Sequence, residues 1–148
     1  MLSTDSIWFE RVWPWAGAAV AVLVWWYFGA PFPQSADGLF GASATVASVF
    51  ASFLGVAQAI ILTIKGTETF KRLEKLDYID SLFGYLRTAI LAAVVFASLS
   101  IIGFFLDRNV FSGHWIIVFP GGWIGAGALA LLTYARVSNI LFKLLRRV

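Results

Sequence analysis

Apolar residues run along this chain in four long stretches separated by short polar gaps. They cover about residues 13–32, 39–64, 85–106 and 115–135. A helix needs about 20 apolar residues to cross the ~30 Å hydrocarbon core of a bilayer. The pattern therefore predicts an all-α, polytopic membrane protein with four transmembrane helices and a single transmembrane domain.

The stretches differ in kind. The first opens on Trp13, Pro14 and Trp15, where a proline in the first helical turn loses no hydrogen bond. Trp8, Trp13 and Trp15 at one end and Trp25, Trp26 and Tyr27 at the other read as two interfacial belts. A spacing of about ten to thirteen residues makes them only about 15–20 Å apart. Pro31 and Pro33 are expected to end this helix, and Ser3 to Arg11 to form a separate short interfacial helix.

The second stretch carries a strip of small residues. Ala44, Ala47, Ser48, Ala51, Ser52, Gly55 and Ala59 recur at spacings of three and four. In lipid such strips let helix backbones approach closely. Thr45, Ser48, Ser52 and Thr63 add hydroxyls near one edge, and Gln58 sits on the other. The strip fits two roles, lining the axis of an oligomer or packing on other spans of the same chain. Leu54 falls outside it and is expected to face lipid or a looser contact. In the fourth stretch Gly121 and Gly125 form a GxxxG pair, which also marks close packing, with Pro120 just before it.

Between the second and third stretches, residues 67–86 change period. Phe70, Leu73, Leu76, Ile79, Leu82 and Phe83 recur every three or four residues, and charged residues fill the other positions. That predicts an amphipathic helix, lying on the inner leaflet or extending the third span into the cytoplasm. The tail, 137–148, has the same character.

Charge orients the spans. Arg11 precedes the first, and the next gap has no basic residue. Lys65, Lys71, Arg72, Lys75 and Arg87 lie in the middle gap, Arg108 alone in the third, and Arg136, Lys143, Arg146 and Arg147 in the tail. Alternate sides thus hold ten and one, and the positive-inside rule puts both termini in the cytoplasm. Lys71, Arg72, Lys75, Arg146 and Arg147 are expected to face anionic inner-leaflet lipid or a cytoplasmic protein partner. Lys65, Arg87 and Arg136 are expected to snorkel to the inner headgroups.

Composition narrows the chemistry. The chain is 60% hydrophobic and 13% charged, against about a quarter charged in soluble domains. It has no cysteine and one histidine, His114, so thiolate chemistry and paired-histidine metal or haem sites within one chain are excluded. No nucleophile–base pair or metal cluster suggests an enzyme or a cofactor. The basic residues follow topology, so nucleic acid is not an expected partner. No ionisable residue falls mid-span, which argues against a proton-driven carrier. The first span is long enough to cross, lacks a convincing cleavage site after it, and is expected to be retained.

The stretch from Phe53 to Ile90, FLGVAQAIILTIKGTETFKRLEKLDYIDSLFGYLRTAI, is similar in layout to small uncharacterised bacterial four-span membrane proteins. Those share an "FLG" start, a long second span, a short "FKRL"-like cytoplasmic element and a third span entered through aromatics. Some occur beside phage-defence or toxin genes. The resemblance covers about a quarter of the chain and assigns no functional residue. It implies a bacterial inner-membrane protein and a defence-like setting. The expected function is a homo-oligomer that forms a pore or acts as a membrane-embedded sensor or effector. The other reading is an accessory or immunity-type subunit that binds a protein through Phe70 to Leu86 and the tail.

Overall fold

The computed structural model describes residues 4–33, 35–63, 78–106 and 114–145. All regular structure among them is helical: α1 (Thr4–Tyr27), α2 (Asp37–Thr63), α3 (Tyr78–Phe105) and α4 (Trp115–Leu145). Three helices, α2, α3 and α4, are long and apolar enough to cross a membrane, where four were expected. This is a membrane protein. α1 is long, at 24 residues, but Glu10, Arg11 and its five tryptophans hold its apolarity below that of the others.

Each helix also runs past its expected bounds. α1 begins at Thr4, so the N-terminal segment is its first turns and no separate helix. Pro14 consequently lies in the helix interior, buried, where it removes the amide that would bond the Glu10 carbonyl. The C-terminus of α1 comes before the prolines. Gly29 donates to the Trp26 carbonyl and Ala30 to the Trp25 carbonyl, both at 3.0 Å, closing a Schellman cap. Both residues are left-handed there, Gly29 at φ 85° and Ala30 at φ 52°. Residues 78–86 of the expected amphipathic helix form the start of α3, and 67–77 lie outside the described residues. Most of the tail, 137–145, continues α4.

The helices alternate in direction. Gly17 of α1 lies under Leu132 of α4, while Trp25 lies over Gly121, so the two run antiparallel. Tyr85 meets Arg136, and Ser100 meets Trp123, so α3 and α4 are antiparallel too. Phe40 covers Gly103, at the opposite ends of α2 and α3 in sequence. In space the order is α1, α4, α3, α2, with α2 touching α4 at a few points.

Two clusters hold α2, α3 and α4 together. At one end, near the C-terminus of α4, Leu54, Leu82, Leu86 and Val137 interlock. At the other end Trp123 packs edge-on against Phe40 (5.4 Å, 87°) and Phe32 (5.9 Å, 90°). The Trp123 indole donates to Ser100 Oγ at 2.9 Å, and Ser100 donates to the Phe96 carbonyl at 2.8 Å. This chain satisfies polar groups that lipid would leave unpaired.

Candidate helix-pairing faces and the buried arginine

The small strip of α2 is divided between two faces. The inward face is built on Phe40, Ala47, Leu54 and Ala57, a near-heptad spacing that keeps one side turned to α3. Ala47 is buried on it, and Ala44 and Ala51 are half-buried. Leu54, expected to face lipid or a looser contact, is 0% exposed and belongs to the cluster with Leu82, Leu86 and Val137. The strip's small side chains hid this, because spacing alone does not say which of two adjoining stripes meets a neighbour.

The outward face carries Gly41, Thr45, Ser48, Ser52, Gly55 and Ala59, all exposed and each three or four residues from the next. Gln58 is half-buried beside Ala57. The hydroxyls turn onto their own helix. Thr45 donates to the Gly41 carbonyl (3.0 Å), Ser48 to that of Ala44 (2.8 Å) and Thr63 to that of Ala59 (2.9 Å). Such back-bonding satisfies a hydroxyl without a partner helix. A Cβ added at Gly41 or Gly55 would meet nothing within 4 Å.

The α4 glycines are filled. A Cβ on Gly121 would stand 3.2 Å from Trp25 Cζ3, and one on Gly125 3.1 Å from Val22 Cγ2. The GxxxG pair is thus a close-packing site, occupied by α1 of the same chain. Gly127, on another face, lies under Phe96 of α3, and Gly103 under Phe40.

Arg136 does not snorkel as expected. It is 6% exposed, and its guanidinium carbon lies 4.1 Å from the centroid of the Tyr85 ring. A desolvated guanidinium on an aromatic face gains about 2 kcal/mol. Next to it, Tyr134 stacks on Phe50 (4.2 Å, 13°) and meets Phe53 edge-on (5.7 Å, 63°). Tyr134 and Arg136, two positions apart on α4, thus reach two different helices, α2 and α3.

Arg87 is exposed, as is His114 at the start of α4. Lys71, Arg72, Lys75, Arg146 and Arg147 lie outside the described residues. No group of three or more His, Asp or Glu side chains converges among the described residues. Compared with known proteins, the chain matches no family model, no curated protein and no solved structure.

Proposed function

We propose that this chain is a four-span, homo-oligomeric protein of the bacterial inner membrane, assembled through the outward face of α2. The observation that carries the assembly is the contrast among glycines. Gly17, Gly103, Gly121, Gly125 and Gly127 each receive a side chain from a neighbouring helix, whereas the helical glycines Gly38, Gly41, Gly55, Gly84 and Gly122 receive none. Of these, Gly41 and Gly55 share one face with exposed Thr45, Ser48, Ser52 and Ala59. Helix association in lipid depends on close packing and not on hydrophobic gain. A row of small residues from Gly41 to Ala59 is about 27 Å long at 1.5 Å per residue. Against lipid that row gains nothing from being small, and against a second α2 it brings two backbones together.

Two features support α1 as a fourth span. Its contacts with α4 run from Gly121 to Leu132, the middle of a helix apolar enough to cross. Because Trp8 belongs to the same helix as Trp26, the aromatic belts are 18 residues or about 27 Å apart, close to the ~30 Å core. Orientation has support as well. Arg11, Arg87, Arg136 and Lys143, all the Lys and Arg among the described residues, fall at one end of the alternating helices. With that end cytoplasmic, both termini are inside, and the amphipathic segment 67–86 is a cytoplasmic element leading into α3.

The assembly works as a pore or as the membrane-embedded sensor or effector of a small defence-like system. The resemblance over Phe53 to Ile90 supports that setting. Anionic inner-leaflet lipid is the natural partner of the basic end. Native mass measurement in nanodiscs tests the assembly, and a monomer only would end the proposal. Planar-bilayer recording tests the pore. Discrete conductance from folded oligomer is expected of a pore, and silence at every voltage leaves the sensor or effector role in its place.

A further inference from the structure

Among the described residues α1 packs along α4 and along no other helix. Neither core cluster contains an α1 residue. The helix is held by Leu132 over Gly17, Val22 over Gly125 and Trp25 over Gly121. It is joined to the rest of the bundle by a short connection. Phe32 is already anchored against Phe40 and Trp123, so residues 28–31 are the joint. It is closed by the amides of Phe28, Gly29 and Ala30, which cap α1, and by the Trp25 indole, which donates to the Pro31 carbonyl at 3.0 Å. That joint contains Ala30 at φ 52°, the non-glycine residue with positive φ among the described residues. An L-residue with a Cβ is strained there.

These features belong together. A short connection under strain favours exchange of the element it tethers, because opening it releases the strain, while the bonds it breaks lie at an exposed joint where water replaces them. Exchange of an identical element between copies builds a dimer from contacts that already exist in the monomer. The glycine groove on α4 holds a copy of α1 in this structure, so an α1 from a second chain fits it equally well. Four residues extended reach about 13–14 Å, more than the 8–10 Å between packed helix axes.

From this we infer that α1 exchanges between two copies of the chain, each α1 docking on the Gly121–Gly125 groove of its partner. The inference rests on the homo-oligomer reading, and adds a second contact to the α2 face. It also makes Ala30 the switch. A residue that tolerates φ near +50° favours the closed monomer, and one that resists it favours exchange.

The chain has no cysteine, which makes the test direct. Full-length chains carrying Val22→Cys and Gly125→Cys singly, with different tags, are co-expressed and oxidised in the membrane. A disulfide between the two chains is expected. The double variant Val22→Cys/Gly125→Cys on one chain confirms that the α1–α4 contact forms. In the co-expressed pair, Ala30→Gly should lower the between-chain bond about fivefold and Ala30→Val should raise it. If the double variant closes within its chain while the mixed chains never link, exchange is refuted. Native mass of the unsubstituted chain separates the two proposals. An oligomer without the between-chain bond refutes exchange alone, and a monomer refutes both.

Discussion

Leu54 and Gly55 are neighbours in sequence with opposite surroundings, and paired substitutions there separate folding from assembly. Leu54 is fully enclosed between α3 and α4, beside Leu86 and Val137. Leu54→Ala empties that position. In water the loss would combine transfer and cavity terms, at about 2–5 kcal/mol. In lipid the transfer term nearly vanishes, since acyl chains are as apolar as leucine. What remains is the cavity, roughly 60–80 Å³ at about 24 cal/mol per Å³, or about 1.5–2 kcal/mol. Gly55→Leu adds a Cβ where nothing lies within 4 Å, on an exposed face of α2. Within one chain it costs nothing in packing, and replacing a helical glycine gains up to about 1 kcal/mol. Between chains a leucine there holds two α2 helices apart. Unfolding in lipid bicelles and native mass in nanodiscs read the two effects. Leu54→Ala should lower stability and leave stoichiometry intact. Gly55→Leu should keep or raise stability and weaken assembly at least tenfold, about 1.4 kcal/mol. The reasoning fails if Gly55→Leu leaves the mass distribution unchanged, or if Leu54→Ala dissociates the oligomer without destabilising the chain.

Three further outcomes are expected. Gly103→Ala directs a methyl to within 2.7 Å of the Phe40 ring and should cost about 1–3 kcal/mol in the same unfolding assay. Tyr85→Leu should destabilise the Arg136 end of the bundle by about 2 kcal/mol, whereas Tyr85→Phe keeps the aromatic face under Arg136 and should retain most of it; equal losses would remove the cation–π account. A reporter fused after Val148 should be active only in the cytoplasm, and activity on the far side would overturn the orientation.

The helices themselves were legible because lipid imposes a simple requirement. Every backbone group must bond within its own segment, so long apolar runs have one outcome. Helix ends were less legible. Tyr78 to Gly84 read as part of an amphipathic helix, 67–86, either lying on the inner leaflet or extending the third span, since Asp80 and the change of period broke the apolar run. Over the described residues the second alternative is the one seen. The backbone continues through them into α3, because nothing in that stretch breaks a helix. α1 misled in the other direction. Its tryptophans read as two belts with the helix opening at Trp13 to Trp15, whereas one helix runs from Thr4 through Tyr27, since Pro14 lies inside it and does not start it. Faces were least legible. The α2 strip contains Ala47, which packs inward, and Ser52, which does not. Their side chains are nearly alike in size. Only the bulky residues of the neighbouring helices, Phe40 over Gly103 and Phe96 over Gly127, decide which small residues are filled.

The two ends of the helix row carry different surfaces, and this difference bears on how the protein sits among its neighbours. At one end α1 turns Trp15, Val20, Leu23 and Trp26 outward. Bulky side chains exchange contacts with acyl chains freely, so that face is at rest in lipid. At the other end α2 turns outward a row of glycine, serine, threonine and alanine. Val46, Val49, Phe53, Val56 and Ile60 flank that row and are exposed too, so only the stripe itself offers few dispersion contacts to an acyl chain, and Gly41 and Gly55 lower the helix propensity there. Those residues weaken α2 alone and strengthen it only against another closely placed backbone. A monomer surrounded by lipid would be better built with leucine in both positions. The row thus carries a stripe suited to a second helix at its α2 end, and an oligomer that closes that stripe satisfies it. α1 and α2 lie at opposite ends of the row, so a copy that exchanges α1 with one neighbour meets a different neighbour through α2.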